Sequence, residues 1–512
     1  MDRPGITASS KWVFAGTVLS KPIQLFTSVM IARLLGPSSF GVFGLATSMA
    51  VTLALIAGLG LGDASNKYVA EYYSRDREKG RRFSAIIIWS ATIFSTLLFV
   101  ALWLQRPWWV GVVFPDSTTT IVIALSLCLA WTNLIFALLA GVISGLQLFR
   151  EFAILSVLQA FAVAVFAVVL SFYGAEGALL AYVVGSVITL SWAVAKILQT
   201  DPGLFSWPRL PQLGELKRIL RFSTPIWIGA FALNPVITFA FVFLARQPNG
   251  EHHLGMLNTA NGLRTLVTVL PGVIAVVITP ALIQEGGLLG ERHSYNQLLE
   301  KSFSALVFLT LPLLIVCLFL GDLMFLIYGK AYGDSYRLFL PLVTSATVGA
   351  IGTPLVIAMM AKNLTGWSLG FGVAKSILLI GLTLWWVPSQ FSIGLAWAFF
   401  VSEAFFYVLA LEFCVGIGAV PRGTRSVFYS ATTASVVLLI LALWLPASVR
   451  WGLAAPFSAL LAVYLLRAHP MLSSWLTHLV PGPLQSGTER ILKLITAPRA
   501  SARPSSTPSV PL

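Results

Sequence analysis

The chain has 512 residues, of which 57% are hydrophobic and only 10% are charged. Soluble globular chains carry roughly 25% charged residues, so a soluble protein of this length could not cover its surface with so few charges. The composition therefore excludes an array of soluble domains and indicates an all-α polytopic membrane protein. The net charge of +14 would suggest nucleic acid as a partner of a soluble chain. In a membrane protein it reports orientation instead, and we expect no nucleic-acid partner.

Fourteen apolar segments are long enough to cross a membrane, which requires about 20 residues in a helix. The predicted spans are 12–32, 41–62, 84–104, 120–142, 152–172, 177–195, 224–245, 256–282, 302–320, 338–361, 367–387, 393–413, 427–445 and 450–466. Spans 41–62 and 256–282 are the most diluted by Gly, Thr and Asn. The first segment is too long for the core of a signal peptide, so we expect it to remain in the protein.

The distribution of Lys and Arg predicts the orientation of the spans. With the amino terminus placed inside, the inner connections and the tail hold 24 basic residues and the outer connections hold six. Because basic residues accumulate on the cytoplasmic side, both termini are expected to be cytoplasmic. This arrangement requires an even number of crossings, which fits fourteen spans.

The sequence contains an internal repeat that suggests two lobes. Residues 22–33 align with 235–246 without a gap, and one inserted residue then brings Gly41 opposite Gly255. Both copies begin on the same side, so the lobes would be related by an axis along the membrane normal. This predicts two pseudo-symmetric six-helix lobes and two further helices. The predicted units are the first lobe 1–200, a cytoplasmic linker 201–221, the second lobe 222–413, helices 13 and 14 in 414–470, and a largely disordered tail 471–512.

The linker contains a short basic segment, 212–221, that allows two interpretations. It is either an amphipathic helix on the inner leaflet, with its cations near anionic headgroups, or a plain hinge loop. The tail is rich in Pro, Ser, Thr and Arg, a composition typical of disorder.

Several short motifs carry a resemblance to a known family. They are Arg33-Leu34-Leu35-Gly36-Pro37 with Phe40-Gly41, Leu59-Gly60-Leu61, Lys67-Tyr68-Val69-Ala70-Glu71-Tyr72, and Tyr328-Gly329-Lys330-Ala331-Tyr332. Together with the fourteen spans, they resemble the polysaccharide flippases of the multidrug/oligosaccharidyl-lipid/polysaccharide exporter superfamily. The resemblance covers about residues 8–470. It implies transport of a lipid-linked oligosaccharide, usually on undecaprenyl pyrophosphate, to the outer face of a bacterial inner membrane for lipopolysaccharide O-antigen or exopolysaccharide synthesis.

The resemblance also implies partners and places the first span along the substrate cleft. The implied partners are membrane lipids, a polysaccharide polymerase and glycosyltransferases. Lys21 lies near the middle of the first span, where a charge costs roughly 2.5–3.5 kcal/mol and needs a purpose. It is either a cleft cation that faces pyrophosphate or a member of a buried ion pair. Gln24 lies on the same helix face, three residues further on.

Polar residues of the seventh and eighth spans are the next candidates for substrate binding. Arg264, Asn261 and Asn258 form a stripe at a spacing of three residues. Arg264 is expected either to contact substrate or to serve in a structural pair. Asn234 is the repeat counterpart of Lys21, and its alternative role is helix capping before Pro235.

Charged residues of the eleventh, twelfth and second spans have other interpretations. Lys375 and Glu403 fall at similar depths on adjacent antiparallel spans, so a buried ion pair is the leading hypothesis. Lys375 facing the lipid pyrophosphate is the alternative. Asp63 is either an interfacial cap or a carboxylate that couples transport to a proton or cation.

No cofactor, metal site or catalytic motif is expected. Cys128, Cys317 and Cys414 lie in apolar runs, and His252-His253 lacks further ligands at a suitable spacing. The protein is therefore not expected to be an enzyme. The alternatives to a flippase are a multidrug/cation antiporter on the same scaffold and an integral-membrane glycosyl or acyl transferase. In-span acids would favour the antiporter, and an outer catalytic loop would favour the transferase.

Overall fold

The computed structural model describes residues 6–73, 75–114, 118–207, 213–286 and 292–468. Within these residues the protein is helical apart from short connections, and it contains no strand. The helices are α1 (Ile6–Gly58), α2 (Leu61–Tyr72), α3 (Arg77–Leu104), α4 (Arg106–Val113), α5 (Thr120–Gly145), α6 (Phe149–Leu170), α7 (Gly174–Thr200), α8 (Leu213–Ala245), α9 (Gly250–Gly286), α10 (Arg292–Phe325), α11 (Ser335–Ala361), α12 (Thr365–Gly416), α13 (Arg422–Trp444) and α14 (Ala447–Ala468).

Two of the long helices are interrupted inside their limits. Gly36 has φ 72° and is followed by Pro37, which has no amide proton, so α1 breaks into α1a (6–35) and α1b (37–58). Phe391 has φ 50°, a strained value for an aromatic residue, and divides α12 into α12a (365–390) and α12b (392–416). In each case a chain that has crossed the apolar layer can turn and cross it again.

The number of membrane crossings follows from helix length. Nine stretches of the described chain are long and apolar enough to span a membrane. Ala15–Gly58, Phe149–Thr200 and Thr365–Gly416 have 44, 52 and 52 residues, about twice the length that one crossing needs. With α9 and α14 added, the helices are consistent with fourteen crossings. The predicted fold class, an all-α polytopic membrane protein, is confirmed.

The helices pack as two groups joined along α1, α8 and α9. In the first group α1 packs on α5, α6 and α7, and α2 packs on α3 and α5. In the second group α11 packs on α9, α10 and α12, while α12 also contacts α8. Helices α13 and α14 pack on α10, and α13 also touches α11. The two final helices therefore attach to the second group rather than between the groups.

Of the predicted linker 201–221, the structure describes residues 201–207 and 213–221. Residues Pro202–Phe205 form a single 3₁₀ turn, and α8 begins at Leu213. Residues 213–221 thus form the first turns of α8 instead of a loop. The tail 471–512 lies outside the described residues. We call the bundle end that contains Gly36 and Tyr332 the motif end, and the opposite end, which contains Asp201, the linker end.

Candidate functional site

Helices α1b and α9, the second helices of the two repeats, cross closely at the motif end. A Cβ atom on Gly41 would overlap the carbonyl oxygen of Glu251, and one on Gly255 would overlap that of Pro37. Gly41 aligns with Gly255 in the repeat, and the same offset aligns Pro37 with Glu251. The contact is therefore pseudo-symmetric, and only residues without a side chain allow the two backbones to approach this closely.

The two sequence motifs meet at the same end. The hydroxyl of Tyr332 donates to the carbonyl oxygen of Ala32 at 2.7 Å, and Arg33 donates to the carbonyl oxygen of Leu326 at 3.2 Å. Ala32 and Arg33 lie in the last turn of α1a before the break at Gly36, where carbonyl groups lack partners within the helix. The motifs thus tie the first lobe to the second at the motif end.

Polar contacts continue along one side of the lobe junction. Ser48 and Thr52 of α1b lie 3.0 and 2.6 Å from the hydroxyl of Thr238 on α8. The indole of Trp227 donates to the carbonyl oxygen of Leu55. At the linker end, Tyr68 donates to the carbonyl oxygen of Arg218 at 2.9 Å. Helix α8 therefore stays in contact with the first lobe from the middle of the bundle to the linker end.

On the other side of the junction, α1a faces α9. Ser28 and Gly262 are close, because a Cβ atom on Gly262 would lie 3.7 Å from the Ser28 hydroxyl and 3.2 Å from that of Tyr328. Toward the linker end the same face of α1a carries Gln24 and Lys21, at spacings of four and seven residues from Ser28. Both side chains are exposed, and Lys21 Nζ donates to Gln24 Oε1 at 3.1 Å.

The three residues of the predicted stripe on α9 do not share one environment. Asn258 packs against Gly44 of α1b, and its amide nitrogen is buried without a hydrogen-bond partner. Asn261 and Arg264 are half-buried. Among the described residues neither makes a hydrogen bond, and Arg264 makes no ion pair. Arg264 lies within the electrostatic reach of Glu403.

Lys375 and Glu403 lie together in the second lobe. Lys375 Nζ on α12a is 2.6 Å from Glu403 Oε2 on α12b, and the two side chains are 16% and 23% exposed. The ammonium also lies 5.7 Å from the ring of Phe406. The charge of Glu403 also reaches Arg264, so one carboxylate acts on two cations of the second lobe. The cluster therefore keeps an excess of one positive charge.

Asn234 and Asp63 occupy different environments from the cations. Asn234 is half-buried inside α8, and its amide donates to the carbonyl oxygen of Ala230 at 3.0 Å, so it does not cap a helix end. Asp63 is exposed in the first turn of α2, where the helix dipole favours an acid. It lines a cavity of about 510 Å³ with Asn66 and Asn133.

Asp201, which is not among the residues predicted from the sequence, anchors the linker to the first lobe. Its buried carboxylate accepts hydrogen bonds from Tyr73, Arg77, Arg81 and the amide of Gly203 at 2.8–3.0 Å. Burial alone would raise the pKa of Asp201, but the hydrogen bonds outweigh it and hold this pKa far below its ordinary value. The Asp-Pro-Gly sequence that follows α7 was the available signal.

Within the described residues no group of three or more His, Cys, Asp or Glu side chains could hold a metal ion. Cys317 and Cys414 are buried and Cys128 is exposed. His253 stacks on Phe391, the residue at the break in α12.

Comparisons with known proteins agree with this architecture. The family model described as "Polysaccharide biosynthesis protein" matches residues 6–284. The structure is similar to the lipid II flippase MurJ in an inward closed conformation, with a TM-score of 0.70 at 13% identity, covering 89% of this chain and 98% of that one. It is also similar to an inward-facing multidrug resistance MATE transporter of the MOP superfamily, with a TM-score of 0.67 at 11% identity, covering 82% and 99%.

A MOP superfamily transporter from Pyrococcus furiosus gives a TM-score of 0.54 at 16% identity, covering 84% of this chain and 95% of that one. The sequence has no significant match among the curated proteins. At these identities the three structures establish the fold, and the resemblance seen in the sequence motifs is confirmed.

Proposed function

The chain belongs to the polysaccharide biosynthesis protein family, and from this premise we propose that it is a flippase for a lipid-linked oligosaccharide. The cargo is of the undecaprenyl-pyrophosphate type, and it moves from the cytoplasmic to the outer face of a bacterial inner membrane. The final products are cell-surface polysaccharides such as O-antigen or exopolysaccharide. The polymerase and glycosyltransferases that make such polymers are the expected partners.

The observation that carries the proposal is the pair of cations on facing helices. Lys21 on α1a is exposed, and Arg264 on α9 makes no hydrogen bond or ion pair with any described residue. A pyrophosphate head carries about two negative charges, and burying it in hydrocarbon without compensation is prohibitive. A hydrated cleft with two spaced cations compensates this charge without holding it in a tight cage, so the head can also leave.

The pseudo-symmetric contact supports alternating access. The motif end is closed by Gly41, Gly255 and the tyrosine–carbonyl bond of Tyr332, whereas Lys21 and Gln24 are exposed toward the linker end. With the linker end cytoplasmic, as the basic residues predict, the cargo head enters from the cytoplasm. Separation of α1b from α9 then opens the motif end to the outside.

The remaining candidates have supporting roles in this scheme. The carboxylate of Glu403 fixes Lys375 and offsets part of the Arg264 charge, which keeps the second lobe's cluster one unit positive. Gln24 and Asn261 are neutral hydrogen-bonding groups beside Lys21 and Arg264, suited to pyrophosphate or sugar oxygens. Asn234 would add an amide on the α8 side.

A second candidate function, a cation-coupled drug antiporter, is favoured by one observation. Asp63 lines a cavity in the first lobe together with two asparagines, and a carboxylate in such a setting can bind a proton or a metal cation. The same cavity serves a flippase that uses ion coupling. The charge of the cleft distinguishes the two, because an antiporter for cationic drugs has no use for Lys21 and Arg264.

The test is the accumulation of lipid-linked oligosaccharide on the inner leaflet of cells that carry variants at matched protein level. A charge-assisted contact contributes about 1.5–3 kcal/mol, so Lys21→Gln and Arg264→Gln should each slow export by about 10- to 100-fold. Lys21→Arg should retain export, because the requirement is for charge. Lys301→Gln, at an exposed cation on α10, is the matched control. Normal export by the Lys21→Gln/Arg264→Gln double variant would contradict the cationic cleft.

A further inference from the structure

A cavity at the linker end is lined by cations from both lobes. Its volume is about 440 Å³, within the range of small-molecule sites, and it lies between the end of α2 and the start of α8. The lining residues are Lys67, Tyr68, Gly214, Lys217, Arg218, Arg221 and Phe222. Four of the seven carry a positive charge and none carries a negative charge. The site is separate from Lys21, Arg264 and the Lys375–Glu403 pair.

One face of α8 supplies most of the charge. Lys217, Arg218 and Arg221 lie at spacings of one, three and four residues, which directs them to the same side of the helix. Arg218 is held in place, because its guanidinium donates to the Tyr72 hydroxyl at 3.0 Å and its carbonyl oxygen accepts from Tyr68. Lys217 and Arg221 are exposed, and neither pairs with any described residue.

The first lobe supplies a rigid wall. Tyr68 is 3% exposed and stacks on Tyr72 and Phe83, with centroids 6.1 and 5.1 Å apart. Lys67 lies at the rim, with its Nζ 3.9 Å from the ring centroid of Phe222 on α8. Two acids lie nearby, Glu71 on α2 and Glu215, which pairs with Arg82, but neither lines the cavity, so the lining itself stays positive. Like charges gathered in this way repel each other until an anion joins them.

The surroundings of the cavity match the headgroup layer of a membrane. Leu216 and Leu220 are 38% and 37% exposed beside the cationic face of α8, so this segment is amphipathic. Trp207, just before α8, is 71% exposed, and tryptophan is enriched at the membrane–water interface. A basic amphipathic helix with this pattern lies in the interfacial plane and attracts anionic lipids.

We propose that the cavity binds the phosphate headgroup of an anionic phospholipid of the inner leaflet, which bridges Lys67 of the first lobe and Lys217 and Arg221 of the second. The bound lipid holds the start of α8 against α2 while its acyl chains lie along the exposed leucines. The proposal concerns a membrane lipid at the lobe junction and is independent of the transported molecule.

Lipid binding to the purified full-length protein in a neutral detergent tests the proposal. Dioctanoyl phosphatidylglycerol should raise the melting temperature saturably, and native mass spectrometry should detect the retained lipid. The Lys217→Gln/Arg221→Gln variant should bind it about tenfold or more weakly, since each cation near an anionic headgroup contributes substantially. Both side chains are exposed, so the variant should fold, and size-exclusion chromatography checks this.

The controls separate the possible occupants. Lys301→Gln/Arg422→Gln removes the same charge from exposed positions elsewhere and should bind lipid like the wild type. Equal binding of dioctanoyl phosphatidylcholine would overturn the proposal, because the acyl chains alone would then suffice. Equal stabilisation by inorganic phosphate at the same concentration and ionic strength would show that the cavity binds a soluble anion, and this result would refute the lipid proposal. Unchanged lipid binding by the Lys217→Gln/Arg221→Gln variant would show that the lipid does not bind at this cavity.

Discussion

The Lys375–Glu403 pair allows a prediction in which the two single substitutions are unequal. Glu403→Gln removes the ion-pair partner of Lys375 and also a negative charge that reaches Arg264, whereas Lys375→Gln leaves that negative charge in place. Removal of the carboxylate should therefore destabilise the protein more than removal of the ammonium. A simple isolated pair would give similar losses for both.

The expected magnitudes follow from partial burial. The two side chains are 16% and 23% exposed. An exposed ion pair contributes about 0.2–1 kcal/mol, whereas breaking a buried one costs about 3–5 kcal/mol, so this pair should lie between the two. We expect a free-energy loss of about 3 kcal/mol for Glu403→Gln and about 2 kcal/mol for Lys375→Gln, with a coupling of about 1.5 kcal/mol. The double exchange Lys375→Glu/Glu403→Lys should recover only part of the lost stability, because the new positive charge at position 403 repels Arg264.

The assay is unfolding of the purified protein in mixed micelles with increasing SDS, followed by circular dichroism, for the wild type, the two single variants and the double variant. Lys301→Gln controls for loss of a cation without loss of a pair. Independent sites show coupling energies of up to about 0.5 kcal/mol, so a value below this would refute the interaction between Lys375 and Glu403. Equal single losses would refute the shared carboxylate while leaving the pair intact.

Three further predictions concern topology, the linker and the motif end. Cysteine labelling from outside should reach 329–336 and not 75–82, and the reverse pattern would overturn the orientation. Asp201→Asn should lower the melting temperature. Because the pKa of Asp201 is depressed in the folded state, the difference from wild type should stay constant from pH 5 to 8. It should shrink only below about pH 4, where Asp201 becomes protonated in the unfolded chain but stays ionised in the folded one. In a Ser28→Cys background, which places a thiol at the α1a–α9 junction, Gly41→Ala should speed the reaction of that thiol with a reagent added outside, whereas Gly416→Ala, which meets no atom within 4 Å, should not. Equal reaction rates in the two variants would refute the role of the close contact between α1b and α9.

Much of the architecture could be predicted from apolar run lengths, since the limits of the hydrophobic segments are set by membrane thickness. Both helix breaks fall in gaps between predicted spans, 33–40 and 388–392, but the residue at which each helix breaks was harder to predict. Gly36-Pro37 is a recognisable helix break, whereas Phe391 carries no local signal for a positive φ. Its ring stacks on that of His253 in α9, a contact between distant parts of the chain that sequence patterns do not reveal. The sequence does not decide whether α8 begins as a helix at 213–221, because a basic segment after prolines fits a loop equally well.

For the candidate site, the sequence predicts how deep each residue lies in the membrane, but not which neighbouring helix its side chain faces. The matching depths of Lys375 and Glu403 on antiparallel spans were sufficient to select them as partners, and the atoms lie 2.6 Å apart. The electrostatic interaction of Glu403 with Arg264 could not be predicted from the sequence, since it depends on how α9 packs beside α12. Asn258 shared the spacing of Arg264 but packs on Gly44, because which face of α9 meets α1b is decided by the glycine contacts.

The central claim, a flippase with a cationic cleft, is tested most directly with purified protein in sealed vesicles. A lipid-linked oligosaccharide on undecaprenyl pyrophosphate is placed in both leaflets, and the fraction accessible to an added impermeant glycosidase is followed over time. The wild type should expose nearly all of the substrate, whereas the Lys21→Gln/Arg264→Gln variant should stop at the outer-leaflet half. Wild-type vesicles that also stop at half, or a double variant that proceeds at the wild-type rate, would contradict the account.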